Sequence, residues 1–276
     1  MGEPVATAGQ GTERIAAAFE AARAEGRAAL MPYMVGGFPD QATSITVAEA
    51  YADAGADLIE LGVPFSDPLA DGPVIHAAAT AALDAGATLD STLEICAAVS
   101  GRVPVVPMVY SNMILARGPQ SFAAAAADAG AAGAIAPDLA FEEAAGIRDA
   151  LAAEGLALIP LVAPTTPAER RRRICKAASG FVYIVSLVGV TGERGELPAE
   201  LGELVAAVRA EAPVPAAVGF GIGTPEQAAS VGAIADGVII GSRLVRAVEE
   251  AKAAEGAAAA VGEFVAACRE AMSEQP

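Results

Sequence analysis

Eight short β-branched or apolar runs alternate with helical segments along the whole chain, and this alternation restricts the fold more than any other feature. Parallel strands joined by crossover helices produce such an order, because a parallel sheet is covered on both faces and its strands read as apolar runs. The runs are Ala29 to Val35, Asp57 to Leu61, Val103 to Tyr110, Gly133 to Ala136, Ala157 to Leu161, Gly180 to Ser186, Pro215 to Val218 and Gly237 to Ile240. Helices are predicted near 40–54, 88–100, 118–129, 141–154, 167–178, 198–211, 224–232 and 243–272, several opened by Ser, Thr or Asp caps or early prolines. A further helix at 12–26 would close the bottom of a barrel. Eight strand-helix units favour an α/β fold of one closed (β/α)8 TIM barrel, with an open doubly wound sheet as the alternative. The predicted division is a flexible tail at 1–11 and a single barrel domain at 12–276.

The 276 residues suit that architecture, since α/β barrels of roughly 250 residues form one domain. A net charge of -17, from 34 acidic and 17 basic residues, repels nucleic acid and anionic lipid. The longest stretch without Asp, Glu, Lys or Arg, Ala177 to Gly192, contains three glycines and is too short to span a bilayer. Met1 to Gly11 has no basic residue and no long apolar core, so a polar tail is predicted there instead of a signal peptide, and a cytoplasmic location follows. Cys96, Cys175 and Cys268 lack C-x-x-C spacing and are expected as reduced, buried thiols.

Two scarcities remove whole mechanisms. His76 is the only histidine, and Lys176 and Lys252 are the only lysines. A Ser-His-Asp relay, a multi-histidine metal site and a Schiff-base lysine are all hard to build from that inventory. Carboxylates, tyrosines and backbone amides remain.

In a barrel the informative residues follow the strands at their carboxyl ends. Tyr33, Tyr110 and Tyr183 sit in or at the end of runs one, three and six, whereas Tyr51 lies on a helix. Together the three suggest an aromatic pocket with hydroxyl handles, although tyrosines also fill strand ends for packing alone. Glu60 interrupts an otherwise apolar run; burial would raise its pKa towards neutrality, or its carboxylate could simply tie a loop. The next loop carries Asp67 and Asp71 among turn formers, where an isolated Asp would cap a turn or helix. Glu60 and Asp71, eleven residues apart across one strand-end loop, are close enough to flank a ligand, and unlike environments let such a pair supply acid and base.

Glycine clusters follow three of the last runs: Gly189-Val190-Thr191-Gly192, Gly219-Phe220-Gly221-Ile222-Gly223 and Gly241-Ser242. Free amides there, at helix N-termini, can hold a phosphate without lysine. Gly192 to Glu196 reads equally as a mobile lid or an ordinary loop. Arg170 to Arg173 read as a solvated helix face, and His76 as structural.

Taken together these motifs resemble the tryptophan synthase α subunit family. The run from Glu60 through Leu61-Gly62-Val63-Pro64-Phe65-Ser66-Asp67-Pro68-Leu69-Ala70-Asp71 to Gly72-Pro73 is similar to that family's signature, and the three glycine clusters fall in its order and spacing. The likeness extends from about residue 12 to 272. It implies a lyase of tryptophan biosynthesis that cleaves indole-3-glycerol phosphate to indole and D-glyceraldehyde 3-phosphate by a retro-aldol route. By that resemblance Glu60 and Asp71 form the catalytic pair and Tyr183 assists them. Tyr33, Tyr110 and Phe220 would line the indole pocket, and Gly192, Gly221, Gly241 and Ser242 would hold the phosphate. No cofactor is implied for this chain; pyridoxal phosphate is expected only in a β subunit, in an α2β2 complex that receives indole through a channel. The loop around Pro64 and Asp67 and the stretch after Tyr110 would face that partner. Val35 and Met113 stand where the family often has Thr and Pro, which bears on pocket polarity and loop shape. The rival expectations are a different phosphate-binding barrel, such as a sugar-phosphate isomerase, and a non-catalytic barrel that only activates a partner.

Overall fold

The computed structural model describes residues 10–69, 71–185, 199–219, 221–251 and 253–274. Nine strands, all parallel in their pairings, form one sheet: β1 Ala29–Val35, β2 Ile59–Gly62, β3 Val105–Met108, β4 Gly133–Ile135, β5 Ala157–Ile159, β6 Leu161–Val162, β7 Val182–Val185, β8 Ala216–Gly219 and β9 Gly237–Ile240. Their order is β5-β4-β3-β2-β1-β9-β8-β7-β6. The two outer members are consecutive in the chain and flank Pro160, so the fifth predicted run is one strand divided at a proline. Pro160 has no N–H to give a ladder, but its carbonyl accepts from Tyr183 N–H at 2.9 Å. β5 pairs with β4 and β6 with β7, which completes the ring through this residue. The doubly wound alternative is thereby set aside.

The helices are α1 Gln10–Ala24, α2 Gln41–Asp53, α3 Pro73–Asp84, α4 Leu89–Val99, α5 Ser111–Arg117 and α6 Pro119–Asp128 in the first half. The second half supplies α7 Ala145–Ala153, α8 Ala168–Lys176, α9 Ala199–Glu211, α10 Pro225–Gly232, α11 Ser242–Glu250 and α12 Ala254–Ser273. The predicted helix spans do not include α3 and α5, and three further findings differ from expectation. α1 starts at Gln10, inside the segment assigned to the tail, and Gly11 is buried against the Ala132 and Gly155 carbonyls. The span 243–272 is two helices, because Ala251 and Ala253 are extended between them. The span 141–154 opens with a 3-10 turn at Phe141–Glu143 before α7 begins.

Alternation along the strands separates an inner from an outer core. Ala29, Met31, Val106, Ile159, Ala217 and Ile239 fill the barrel, while Leu30, Ile59, Leu61, Val105, Val182 and Val218 pack outward beneath the helices. α1 plugs the amino-terminal end of the strands with Ile15, Phe19 and Ala22, Phe19 meeting Phe181 at 5.7 Å between ring centroids. The lower rim is also tied by Arg27, whose buried guanidinium donates to both Asp57 oxygens at 2.5 and 2.8 Å. With the bottom filled, the open end is the carboxyl end of the strands. All three cysteines are free and buried, as expected.

Candidate active site

Glu60 faces the barrel interior because the strand period of two leaves no other option: Ile59 and Leu61 on either side belong to the outer core, and Leu58 to the inner one. It is 4% exposed, and neither carboxylate oxygen has a hydrogen-bond partner among the described residues. An ionised carboxylate so placed lacks the water it would have outside. Burial first, and the charge of Asp71 second, push its pKa up to about 8. The loop-tying alternative for Glu60 finds no support among the described residues, none of which it ties.

Asp71 hangs over the same space from the loop between β2 and α3. Burial raises its pKa, while the Tyr110 hydroxyl hydrogen-bonded to it and the nearby His76 pull in the opposite direction. The two carboxylates thus share one site in unlike surroundings, Glu60 dry and unpaired, Asp71 partly exposed and hydrogen-bonded. His76 lies exposed in the first turn of α3 and acts on Asp71 only through its field.

The predicted tyrosines surround this pair. Tyr33 on β1 is in register with Glu60, and its ring leans up over Gly62, the residue two further along β2; a Cβ on Gly62 would overlap the Tyr33 hydroxyl. Tyr183 on β7 repeats the arrangement against β8: it pairs with Ala217, and a Cβ on Gly219 would lie 2.7 Å from its hydroxyl. Burial above all holds both phenol pKa values well above the usual tyrosine value, with Asp71 and then Glu60 adding to it at Tyr33 and Glu60 at Tyr183, so each remains a protonated donor. Tyr110 ends the third run and precedes α5, with Phe65 stacked on its ring at 4.8 Å between centroids. Gly62, Gly219 and Phe65 complete the pocket; the sequence offers Gly62 and Phe65 only within the long acidic motif and Gly219 only as the first residue of a glycine cluster. A further signal for the two glycines is their position two residues beyond an inward-facing residue.

Beside Tyr33, Gly241 follows β9 and caps α11 with no side-chain hydrogen bond at the helix N-terminus, and Ser242 is the first helical residue. Gly221 has φ +53, a left-handed conformation natural for glycine, and, its chain neighbours aside, no atom of the described residues lies within 4 Å of where its Cβ would stand. Arg243 turns away, its guanidinium 5.0 Å from the centroid of the Phe264 ring. Gly192, Phe220 and the segment from Gly189 to Glu196 lie outside the described residues. Among the described residues there is no group of three or more His, Cys, Asp or Glu that could hold a metal ion. None of the helices there is long and apolar enough to cross a membrane. Arg170 to Arg173 are taken up by Glu142 and Glu211 on the surface of the barrel.

The family model for the tryptophan synthase alpha chain matches residues 19–274. The chain belongs to the tryptophan synthase alpha chain family. It is 46% identical over 254 residues to the tryptophan synthase alpha chain of Synechococcus sp. (strain CC9902), covering 91% of this chain and 94% of that one. The tryptophan synthase alpha chain of Caulobacter sp. (strain K31) is 48% identical over 242 residues, covering 87% and 88%. Among solved structures, tryptophan synthase of Mycobacterium tuberculosis superposes with a TM-score of 0.88 at 37% identity, covering 95% of this chain and 99% of that one. The tryptophan synthase alpha subunit of Legionella pneumophila gives 0.87 at 37%, with the same coverage. The tryptophan synthase alpha fold therefore extends over almost the whole chain.

Proposed function

We propose that Glu60 and Asp71 are the acid-base pair with which this chain performs its family's reaction, cleavage of indole-3-glycerol phosphate to indole and D-glyceraldehyde 3-phosphate in tryptophan biosynthesis. The observation that carries this reading is Glu60: a buried carboxylate with both oxygens unpartnered, at the carboxyl end of the barrel and beside a second carboxylate. Leaving such a group unpaired costs the fold, and cleavage chemistry gives it a use.

With its pKa raised to about 8, Glu60 carries a proton at neutral pH and can deliver it to C3 of the indole ring. Positive charge then develops on the ring, and Asp71, accepting from the indole N1–H, stabilises it. Removal of the proton from the side-chain hydroxyl by the now ionised Glu60 breaks the bond to C3. The electron pair of that bond returns to the ring, giving indole and the aldehyde. The ring is its own electron sink, so a chain with one histidine and two lysines suffices. Tyr183, a protonated phenol beside Glu60, supplies a hydrogen bond to the reacting side chain. Tyr33, Tyr110 and Phe220 form the indole walls, and amides at Gly192, Gly221, Gly241 and Ser242 receive the phosphate, favoured by the N-terminus of α11.

The same reading includes a cytoplasmic enzyme without a cofactor of its own and a β subunit, in an α2β2 assembly, that carries pyridoxal phosphate. Its support in this chain is the pair of exposed large apolar residues, Leu69 at 86% and Leu115 at 59%, on the two stretches assigned to that contact. The test is indole release from indole-3-glycerol phosphate by the purified chain, repeated with a metal chelator and with borohydride added alongside substrate. Undiminished release under both is expected. Loss under either would place the reaction in another mechanistic class, and no release at all would favour a barrel that only activates a partner.

A further inference from the structure

We propose that Tyr51 is a positioning residue for the phosphate site: its hydroxyl occupies the Tyr33 carbonyl and so keeps the Ser242 amide free for the anion. Tyr51 lies on α2, on the outer side of the barrel wall, fully buried, and donates to the Tyr33 carbonyl at 3.2 Å. That carbonyl would ordinarily belong to the sheet. Ala29 N–H donates to Asp236 on the β9 side of β1, whereas the Leu30 carbonyl accepts from Asp57 and Gly36 N–H donates to Gly62 on the β2 side. Backbone groups alternate sides along a strand, so Tyr33, four residues after Ala29, faces β9.

Pairing with β9 runs from Ala29↔Gly237 to Pro32↔Ile240 and stops there. One further step of the register would set Tyr33 opposite Gly241 and bring the Ser242 N–H to the Tyr33 carbonyl. The chain instead leaves the strand at Gly241, with φ -110 and ψ -89, and begins α11. The Tyr51 hydroxyl takes the place that the Ser242 amide would have filled. Gly241 also rests on Tyr33, its Cβ position 3.7 Å from the Tyr33 ring and 3.8 Å from Tyr33 Cβ, so the seat of Tyr33 sets the start of the helix. A buried carbonyl without a donor seeks one. Without the Tyr51 hydroxyl the nearest candidate in register is Ser242 N–H, which would then be withdrawn from the ligand.

This inference rests on the reading that the Ser242 amide binds phosphate, and the experiment separates the two. The intact chain, Tyr51→Phe and Tyr51→Leu are titrated with glycerol 3-phosphate while the Ser242 amide resonance is followed, and thermal unfolding and the KM and kcat for cleavage are measured. In the unmodified chain the Ser242 resonance should move on titration. In both variants it should be displaced before ligand is added, with affinity lower by about fivefold to tenfold, the scale of one hydrogen bond to a charged group partly lost. KM should rise while kcat stays nearly constant, the mark of lost uniform binding. Phe and Leu should share that loss although Leu, which empties more of the site, lowers the unfolding temperature further. Unchanged affinity with a normal Ser242 response, or affinity that follows stability across the two variants, would overturn the proposal and leave Tyr51 a packing residue. No response of Ser242 in the unmodified chain would overturn the amide reading itself, and this inference with it.

Discussion

At Glu60 the period of the strand turns a carboxylate into the barrel, and the structure provides no partner there to offset its burial. The stability cost has a definite pH window. The folded chain holds the Glu60 proton up to about pH 8, whereas the unfolded chain releases it near the ordinary value of 4.5. Between those values the native state binds more protons than the unfolded state, so stability falls as pH rises through the window and levels off above it. Glu60→Gln removes this dependence. Its unfolding temperature at pH 8 is expected to exceed that of the unmodified chain by at least about 2 °C, with the gap closing near pH 4.5; calorimetry at the two pH values checks this, and an equal or lower value at pH 8 contradicts it. Glu60 was legible in the sequence because packing alone seldom places a charged residue inside an apolar run, and Asp71 because it shares the following loop. Tyr51 was not. A buried tyrosine on a covering helix reads as core, and only the folded chain shows its hydroxyl crossing to a strand carbonyl.

The elements around the mouth divide the labour between charge and amide. α11 begins without a side-chain cap at Gly241, and Arg243 in its first turn stacks on Phe264, while among the described residues nothing but its chain neighbours comes within 4 Å of a Cβ at Gly221. Gly221→Asp is therefore expected to reduce glycerol phosphate affinity at least about 100-fold, by like-charge repulsion close to the anion. Arg243→Ala is expected to cost less than about threefold, since its half-buried guanidinium is engaged with the Phe264 ring and its remaining attraction is screened by salt. Isothermal titration of both variants checks the order, and a larger loss for Arg243→Ala would discard the amide cradle. The order of strands and helices was legible because eight apolar runs alternate with helical segments, several of them opened by caps or prolines. Breaks within elements were less so. Pro160 looks like the edge of a run, and nothing in the alanine-rich stretch around Ala251 and Ala253 marks the boundary between α11 and α12. The seven residues of α5 passed as part of a loop, although Asp138 fixes the start of the helix by accepting from Ser111 N–H at 2.8 Å and Ser111 Oγ at 2.7 Å.

At the scale of the whole molecule, a filled and plugged lower end leaves one end of the barrel for chemistry, and the exposed leucines lie beside it. Leu115→Asp is expected to weaken association with a β subunit at least tenfold, about 1.4 kcal/mol, while thermal unfolding stays within the narrow range of an exposed substitution. Sedimentation of the mixed subunits reads the outcome, and unaltered association would move the contact elsewhere. The partner itself could be reached from sequence only through family resemblance, because a single exposed leucine is ordinary on any surface. The central claim, that one chain cleaves its substrate with two carboxylates in unlike surroundings, is tested most directly by steady-state indole release from purified Asp71→Asn. This variant removes the charge beside Glu60 and keeps the size of the side chain. Cleavage is expected to fall by at least about 100-fold, the usual contribution of a positioned acid or base, with thermal unfolding showing that the fold is retained. Near-normal turnover by the folded variant would contradict the account.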